Sequence, residues 1–185
     1  MRIISGEAKG RRLFAPEGSQ TRPTSDKIRG SMFNILGTRV LDARVLDLFG
    51  GTGALALEAL SRGAASAVIV DAARAAIQVI ERNARATVKE DYDARVRILK
   101  ADYRNAISQV GGAVFDLVFL DPPYRMTEAY GDALTRLGAA ALLAKDCTIV
   151  MERVRAVEAP VPEAFEIYDP RFYGETAVDF VKLRG

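Results

Sequence analysis

The chain has 185 residues, 49% of them hydrophobic and 27% charged, which describes one folded domain rather than a disordered polymer. It holds one cysteine, Cys147, and no histidine. That excludes an internal disulfide, a Cys/His zinc site, a Ser-His-Asp triad and a Cys-His dyad. No apolar run reaches the roughly 18 residues of a membrane span, and Met1 to Ser5 lacks a signal peptide's apolar core. A cytoplasmic protein without a membrane partner is expected.

The small net charge of +2 hides a contrast. Residues 1 to 39 carry eight Lys/Arg against three Asp/Glu, whereas the remainder carries 18 against 21. Lys9, Arg11, Arg12, Lys27 and Arg29 in the first part are candidate contacts for a polyanion, because phosphate neutralisation depends on local charge. A solvated basic arm is the plainer alternative. The chain divides by pattern into a basic extension, 1–39, and a main domain, 40–185.

Along the extension, Met1 to Ile4 and Arg12 to Phe14 read as a small hairpin around Gly6 and Gly10. Thr24 or Ser25 offers an N-cap to a helix with the apolar stripe Ile28, Met32, Phe33, Ile35 and Leu36, closed by Gly37. From Arg44 the pattern alternates. Val45 to Phe49, Ala67 to Val70, Val96 to Leu99, Phe115 to Leu120 and Thr148 to Met151 read as strands. Ala54 to Arg62, Ala72 to Ala86, Arg104 to Val110 and Thr127 to Leu137 read as the intervening helices. Strands apolar on both faces imply a mostly parallel α/β sheet covered on both sides. Ala164 to Tyr168 and Thr176 to Leu183 then read as a C-terminal antiparallel hairpin on one edge, giving seven strands.

The first strand runs through Asp47 and Phe49 into Gly50-Gly51-Thr52-Gly53, a glycine turn that lets a ligand approach the backbone at a strand's carboxyl end. Asp71 ends the second strand, where a carboxylate can accept both hydroxyls of a ribose. Asp102 follows the third strand and could sit beside an adenine. These features alone fit a nicotinamide dehydrogenase as well as an S-adenosylmethionine (SAM) enzyme. Asp47 favours the second, since a carboxylate there suits an amino group better than a pyrophosphate. A buried Asp capping the neighbouring turn is the alternative.

The fourth strand runs into Asp121-Pro122-Pro123-Tyr124. Two prolines fix the backbone and remove two amide donors, leaving carbonyls outward between a carboxylate and an aromatic ring. That suits an exocyclic amine on a flat heterocycle: Asp121 and the Pro122 carbonyl accept its hydrogens while Tyr124 stacks. A base in a duplex must be flipped out to reach such a site. Asp-Pro-Pro is also ordinary turn chemistry. Cys147 reads as a small buried hydrophobe, Glu152-Arg153 as a surface pair or an edge contact, and Arg171, Phe172 and Tyr173 either as an RNA contact or as a guard against edge pairing.

The tetrad, taken with Asp47 to Gly53, resembles the SAM-dependent amino-methyltransferases. Arg2 to Gly6, Lys9 to Leu13, Arg22 to Arg29, Met32 to Leu36, Leu57 to Ala64 and Tyr173 to Thr176 resemble the RsmD family over almost the whole chain. The resemblance implies a Rossmann-like fold and methyl transfer from SAM, leaving S-adenosylhomocysteine, to the N2 amine of a guanine in 16S rRNA. It implies Asp121, Pro122, Pro123 and Tyr124 at the target amine, and Asp47, Phe49, Gly50, Gly51 and Gly53 at the methionine side of SAM. Asp71 would lie at the ribose and Asp102 near the adenine. Arg22 and Thr24 match a segment that folds over the cofactor or the RNA. Gly30 and Asp71 stand where the family often has glutamate. No metal is implied, the partner is the small ribosomal subunit or its assembly intermediate, and a monomer is expected. The alternatives are an adenine-N6 methyltransferase, a nicotinamide-dependent oxidoreductase and a non-catalytic RNA-binding assembly factor.

Overall fold

The computed structural model describes residues 1–15 and 25–185. Four segments, β1 (Arg44–Asp47), β2 (Ser66–Asp71), β3 (Val96–Lys100) and β4 (Phe115–Leu120), are the expected parallel strands. Then come β5 (Leu143–Val154), β6 (Phe165–Tyr173) and β7 (Thr176–Leu183). One seven-stranded sheet takes the order β3-β2-β1-β4-β5-β7-β6, parallel through β5 and antiparallel for the last two strands. The seven-stranded α/β expectation is met.

The central strands are apolar on both faces because each face is covered. On one side α1 (Asp26–Leu36), α2 (Ala54–Ser61) and α3 (Arg74–Val88) enclose Met32, Phe33, Leu57, Ile80, Phe119 and Phe180. On the other, α5 (Tyr103–Gln109) and α6 (Glu128–Ala139) enclose Leu46, Val118, Leu134, Ile149 and Met151. A one-turn helix, α4 (Tyr92–Arg95), precedes β3. Among the described residues no helix is long and apolar enough to cross a membrane.

Several boundaries differ from the sequence reading, each for a local reason. Helix α3 starts at Arg74 rather than Ala72, because Asp71 Oδ1 accepts the Ala73 amide at 2.8 Å and holds the chain in a turn. Strand β5 extends well past Thr148 to Met151, since β4 pairs its earlier residues and β7 pairs even its charged residues Glu152 and Arg153. Strand β6 continues through Pro170, which an edge strand tolerates because its outer side needs no amide. Ser25 is the N-cap of α1 and accepts the Ile28 amide at 3.2 Å, while Gly37 closes the helix at φ 54°. Thr24, the other N-cap candidate, lies outside the described residues.

The amino-terminal hairpin is a single antiparallel bridge, Arg2 to Arg12, and it is strapped to α2. Buried Glu58 accepts the amides of Ile4 at 2.7 Å and Ser5 at 3.0 Å, and the Arg62 guanidinium at 2.7 Å. Ser61 Oγ donates to the Ser5 carbonyl and accepts the Ala8 amide. Ile3, Leu13, Met32 and Phe33 belong to the same hydrophobic cluster as β1 and α2.

Arg29, expected as an RNA contact, is instead fully buried. It donates to the Arg2 carbonyl and to Asp26 at 3.1 Å, and stands 3.8 Å from Glu58. Its place on the stripe side of α1 turns it inward, away from any polyanion. Burial pulls its pKa below the ordinary guanidinium value, against the opposing pull of Glu58 and Asp26. Removing one partner of a buried pair leaves the other charge uncompensated. Glu58→Gln should therefore cost about 3–5 kcal/mol in denaturant unfolding. The double change Glu58→Gln with Arg29→Met should recover part of that loss, whereas additive losses would deny the coupling.

Candidate active site at the carboxyl edge of β1 and β4

Strands β1 and β4 are neighbours, and the chain winds outward from them in opposite directions, to β2 and β3 on one side and to β5 on the other. Such a switch point leaves a crevice at the carboxyl ends of the strands. Asp47 and the glycine turn leave β1 there, and Asp121 to Tyr124 leave β4.

The glycine turn is fixed by crowding. A Cβ on Gly50 would lie 2.6 Å from Ile69 Cγ2, 2.9 Å from Ile80 Cδ1 and 3.1 Å from the Val70 carbonyl, so only glycine lets the turn pass between β2 and α3. The Gly50 amide donates to that carbonyl at 2.7 Å. Gly53 begins α2 at φ 79°, a left-handed conformation that glycine adopts without strain. Asp71 Oδ2 accepts the Gly51 amide at 2.9 Å, tying the turn to the end of β2. Buried Asn83 donates to the carbonyls of Thr52 and Phe14 and accepts the Phe14 amide, so the amino-terminal segment is clipped to the same turn.

Asp47 is 1% exposed and accepts the Phe49 amide at 3.3 Å. Burial raises its pKa to about 7, and Asp71 adds to the shift while backbone amides of Phe49 and Ala56 oppose it. Phe49 is half-buried, its ring 5.4 Å from that of Tyr103. Asp102 is the N-cap of α5, accepting the amides of Arg104 at 2.9 Å and Asn105 at 3.1 Å, and it remains exposed. The sequence reading did not foresee that capping role.

In the tetrad, Asp121 is half-buried and its pKa stands well above the ordinary carboxylate value. Burial is the main cause, followed by Glu152 and then Asp47. Pro122 is buried, and among the described residues no hydrogen bond reaches its carbonyl. The Pro123 carbonyl accepts the Met126 amide at 2.8 Å, which turns the chain toward α6. Tyr124 is 62% exposed, a large aromatic ring left facing solvent. A shallow pocket beside it is lined by Thr127, Tyr130, Arg153, Val154 and Val157.

Glu152 and Arg153 are not a surface pair. Glu152 is half-buried in β5 and acts electrostatically on Asp121, and Arg153 binds fully buried Asp179 at 2.6 Å. The signal that could have found Glu152 is the one that found Asp121, a carboxylate following an apolar run at the same sheet edge. Tyr130, also missed, donates its hydroxyl to the Glu152 carbonyl at 2.5 Å; burial and then Asp121 push its pKa up.

Of the other expected residues, Lys9, Arg11, Arg12 and Lys27 are exposed on the hairpin and α1. Arg22 and Thr24 lie outside the described residues. Cys147 is buried, and burial pushes its thiol up to about 12.

Known proteins give the same picture from outside. The fold and the site together define the class as a Rossmann-like methyltransferase fold. The solved structure of Escherichia coli yhhF superposes with a TM-score of 0.84 at 32% identity, covering 99% of this chain and 97% of that one. YlbH of Bacillus subtilis (strain 168) is 38% identical over 192 residues and aligns along the full length of both chains. The ribosomal RNA small subunit methyltransferase D of Escherichia coli (strain K12) is 40% identical over 125 residues, 68% of this chain and 61% of that protein. The family described as Conserved hypothetical protein 95 matches residues 1–182. The chain belongs to that family, the RsmD family of rRNA methyltransferases.

The folded pKa of Asp47, about 7, lies above the ordinary aspartate value of 3.8. The folded protein therefore keeps a proton that the unfolded chain has lost between those values. The stability this proton contributes is complete below pH 4 and disappears as pH rises through 7. Asp47→Asn should stabilise the protein at pH 8 by up to about 4 kcal/mol relative to the native chain, with the difference vanishing near pH 4. Parallel pH dependences in chemical denaturation would contradict it.

Proposed function

We propose that this protein transfers a methyl group from SAM to the exocyclic N2 amine of a guanine in small-subunit rRNA. The observation that carries the reading is the pairing of Asp121-Pro122-Pro123-Tyr124 at the end of β4 with desolvated Asp47 at the end of adjacent β1. The name of the Escherichia coli relative, a small-subunit rRNA methyltransferase, supports the substrate class.

The residues fit SAM on their own chemistry. Buried Asp47, with a raised pKa, suits a positively charged amino group that would restore its ordinary ionisation. Asp71 uses one contact of each oxygen on a backbone amide, leaving further lone pairs for two ribose hydroxyls. The open backbone at Gly51, where a Cβ would meet nothing, allows close approach. SAM supplies an electrophilic methyl group on a sulfonium ion.

The remaining work falls to this chain. Asp121 accepts one hydrogen of the guanine amine and the Pro122 carbonyl accepts the other, which directs the nitrogen lone pair outward. Tyr124 supports the flipped base by stacking. A free guanine N2 is a weak nucleophile, so orientation and exclusion of water contribute more than a strong base. Once the nitrogen begins to bond it becomes acidic. Asp121, whose pKa is raised by burial and by Glu152, is then a better proton acceptor than an ordinary carboxylate. No imidazole is needed.

The assay uses labelled SAM with small subunits lacking the modification and, in parallel, naked 16S rRNA, followed by digestion to nucleosides. Label in N2-methylguanosine is expected, whereas label in N6-methyladenosine would overturn the target base. Asp121→Ala should lower the transfer rate by about 10²–10⁴-fold with SAM affinity nearly unchanged. Tyr124→Phe should stay active and Tyr124→Ala should not. Full activity in Asp121→Ala would remove the tetrad from the mechanism.

A further inference from the structure

Phe172 has no role in the site described so far, yet its position is informative. In the ladder β5-β7-β6, Arg153 pairs with Ala177 and Ala177 pairs with Phe172. Residues directly opposite one another in antiparallel strands share a face of the sheet. Phe172 therefore lies on the same face as Arg153, which lines the pocket beside Tyr124, two strand spacings or about 10 Å away. Tyr173 points the other way, its hydroxyl 2.6 Å from Ser31 of α1.

Phe172 is 51% exposed, and the Arg155 guanidinium lies over its ring at 5.0 Å from the centroid. Arg155 is held in place, its amide donating to the Glu175 carbonyl at 2.7 Å and its carbonyl accepting Arg153 Nη1 at 3.3 Å. Among the described residues no carboxylate forms an ion pair with Arg155 or with Arg125, which directly follows Tyr124. An exposed ring leaves apolar surface in water, and with a guanidinium beside it that carries no ion pair it gains from a flat, anionic partner. A nucleotide is such a partner: the base stacks on the ring and the phosphate meets the cation.

We propose that Phe172 and Arg155 form a stacking platform for an unpaired nucleotide of the RNA substrate that flanks the flipped target base. This rests on the functional reading above in naming RNA as the partner. The platform holds the strand from one side of the pocket while Tyr124 holds the target. Its contribution is to substrate affinity, not to the chemical step.

The test is anisotropy titration of a fluorescein-labelled, unstructured ten-nucleotide oligoribonucleotide at low salt. Base–aromatic stacking is worth about 1–3 kcal/mol per base, so Phe172→Ala and Phe172→Leu should each weaken binding at least about fivefold. Phe172→Tyr should bind as the native protein does, and Arg155→Gln should weaken binding with a shallower salt dependence. SAM affinity and thermal midpoint should stay unchanged in all four, and Phe172→Leu keeps an apolar side chain in case alanine perturbs the strand. Native affinity in both Phe172→Ala and Phe172→Leu, or no detectable binding by the native protein, would overturn the platform. Binding that responds to Phe172, without methyl transfer to ribosomal substrates, would uphold the platform and sink the functional reading. Methyl transfer to small subunits with native half-saturation in Phe172→Ala would do the reverse.

Discussion

Two carboxylates whose ionisation is disfavoured by burial, at the ends of adjacent strands, set the character of this molecule. Asp47 and Asp121 stand where the winding of the sheet reverses, and Asp47 adds to the cost of ionising Asp121. Glu152 on β5 adds to that field. A protein does not gain stability by burying carboxylates together; it loses some of it. Under the proposed function, the arrangement suits a site that receives a cation and then a proton. A sulfonium with an ammonium group offers the first, and an amine undergoing methylation offers the second. Stability is thus given up at the point where function needs an unsatisfied field.

The rest of the chain keeps this crevice in shape. Glu58 binds the amino-terminal hairpin to α2 through two backbone amides, and Arg29 and Arg62 balance its charge. Asn83 of α3 then joins that hairpin to the glycine turn. Gly50 allows the turn to pass against Ile69 and Ile80, so the β1 side of the crevice is set by packing as much as by hydrogen bonding. The basic extension and the main domain accordingly share one hydrophobic cluster.

The architecture was legible because apolar strand runs and glycine punctuation are local signals. Val45 to Asp47 and Phe115 to Leu120 could hardly be read otherwise, and the tetrad follows from four consecutive residues. What escaped the sequence depends on partners far along the chain. Arg29 looked like one more cation of a basic arm, yet Glu58, 29 residues on, draws it inside. Glu152 and Arg153 looked like a surface pair or an edge contact, because nothing local shows that β7 would present Asp179 to Arg153. Asp102 was read for a ligand, and the helix it caps was placed one residue too late. Charged residues are hardest to read because burial can reverse their meaning.

Calorimetry of SAM binding at pH 6, in two buffers of different ionisation enthalpy, tests the cation requirement most directly. With the Asp47 pKa at about 7 in the free protein, most of that carboxyl carries a proton at pH 6. A bound ammonium group would drive it off, so close to one proton should be released per SAM, falling toward zero at pH 8.5. Asp47→Asn should remove most of the release. Binding that moves no protons at pH 6 would contradict the account, because the buried carboxylates would then not be answering the cofactor's charge.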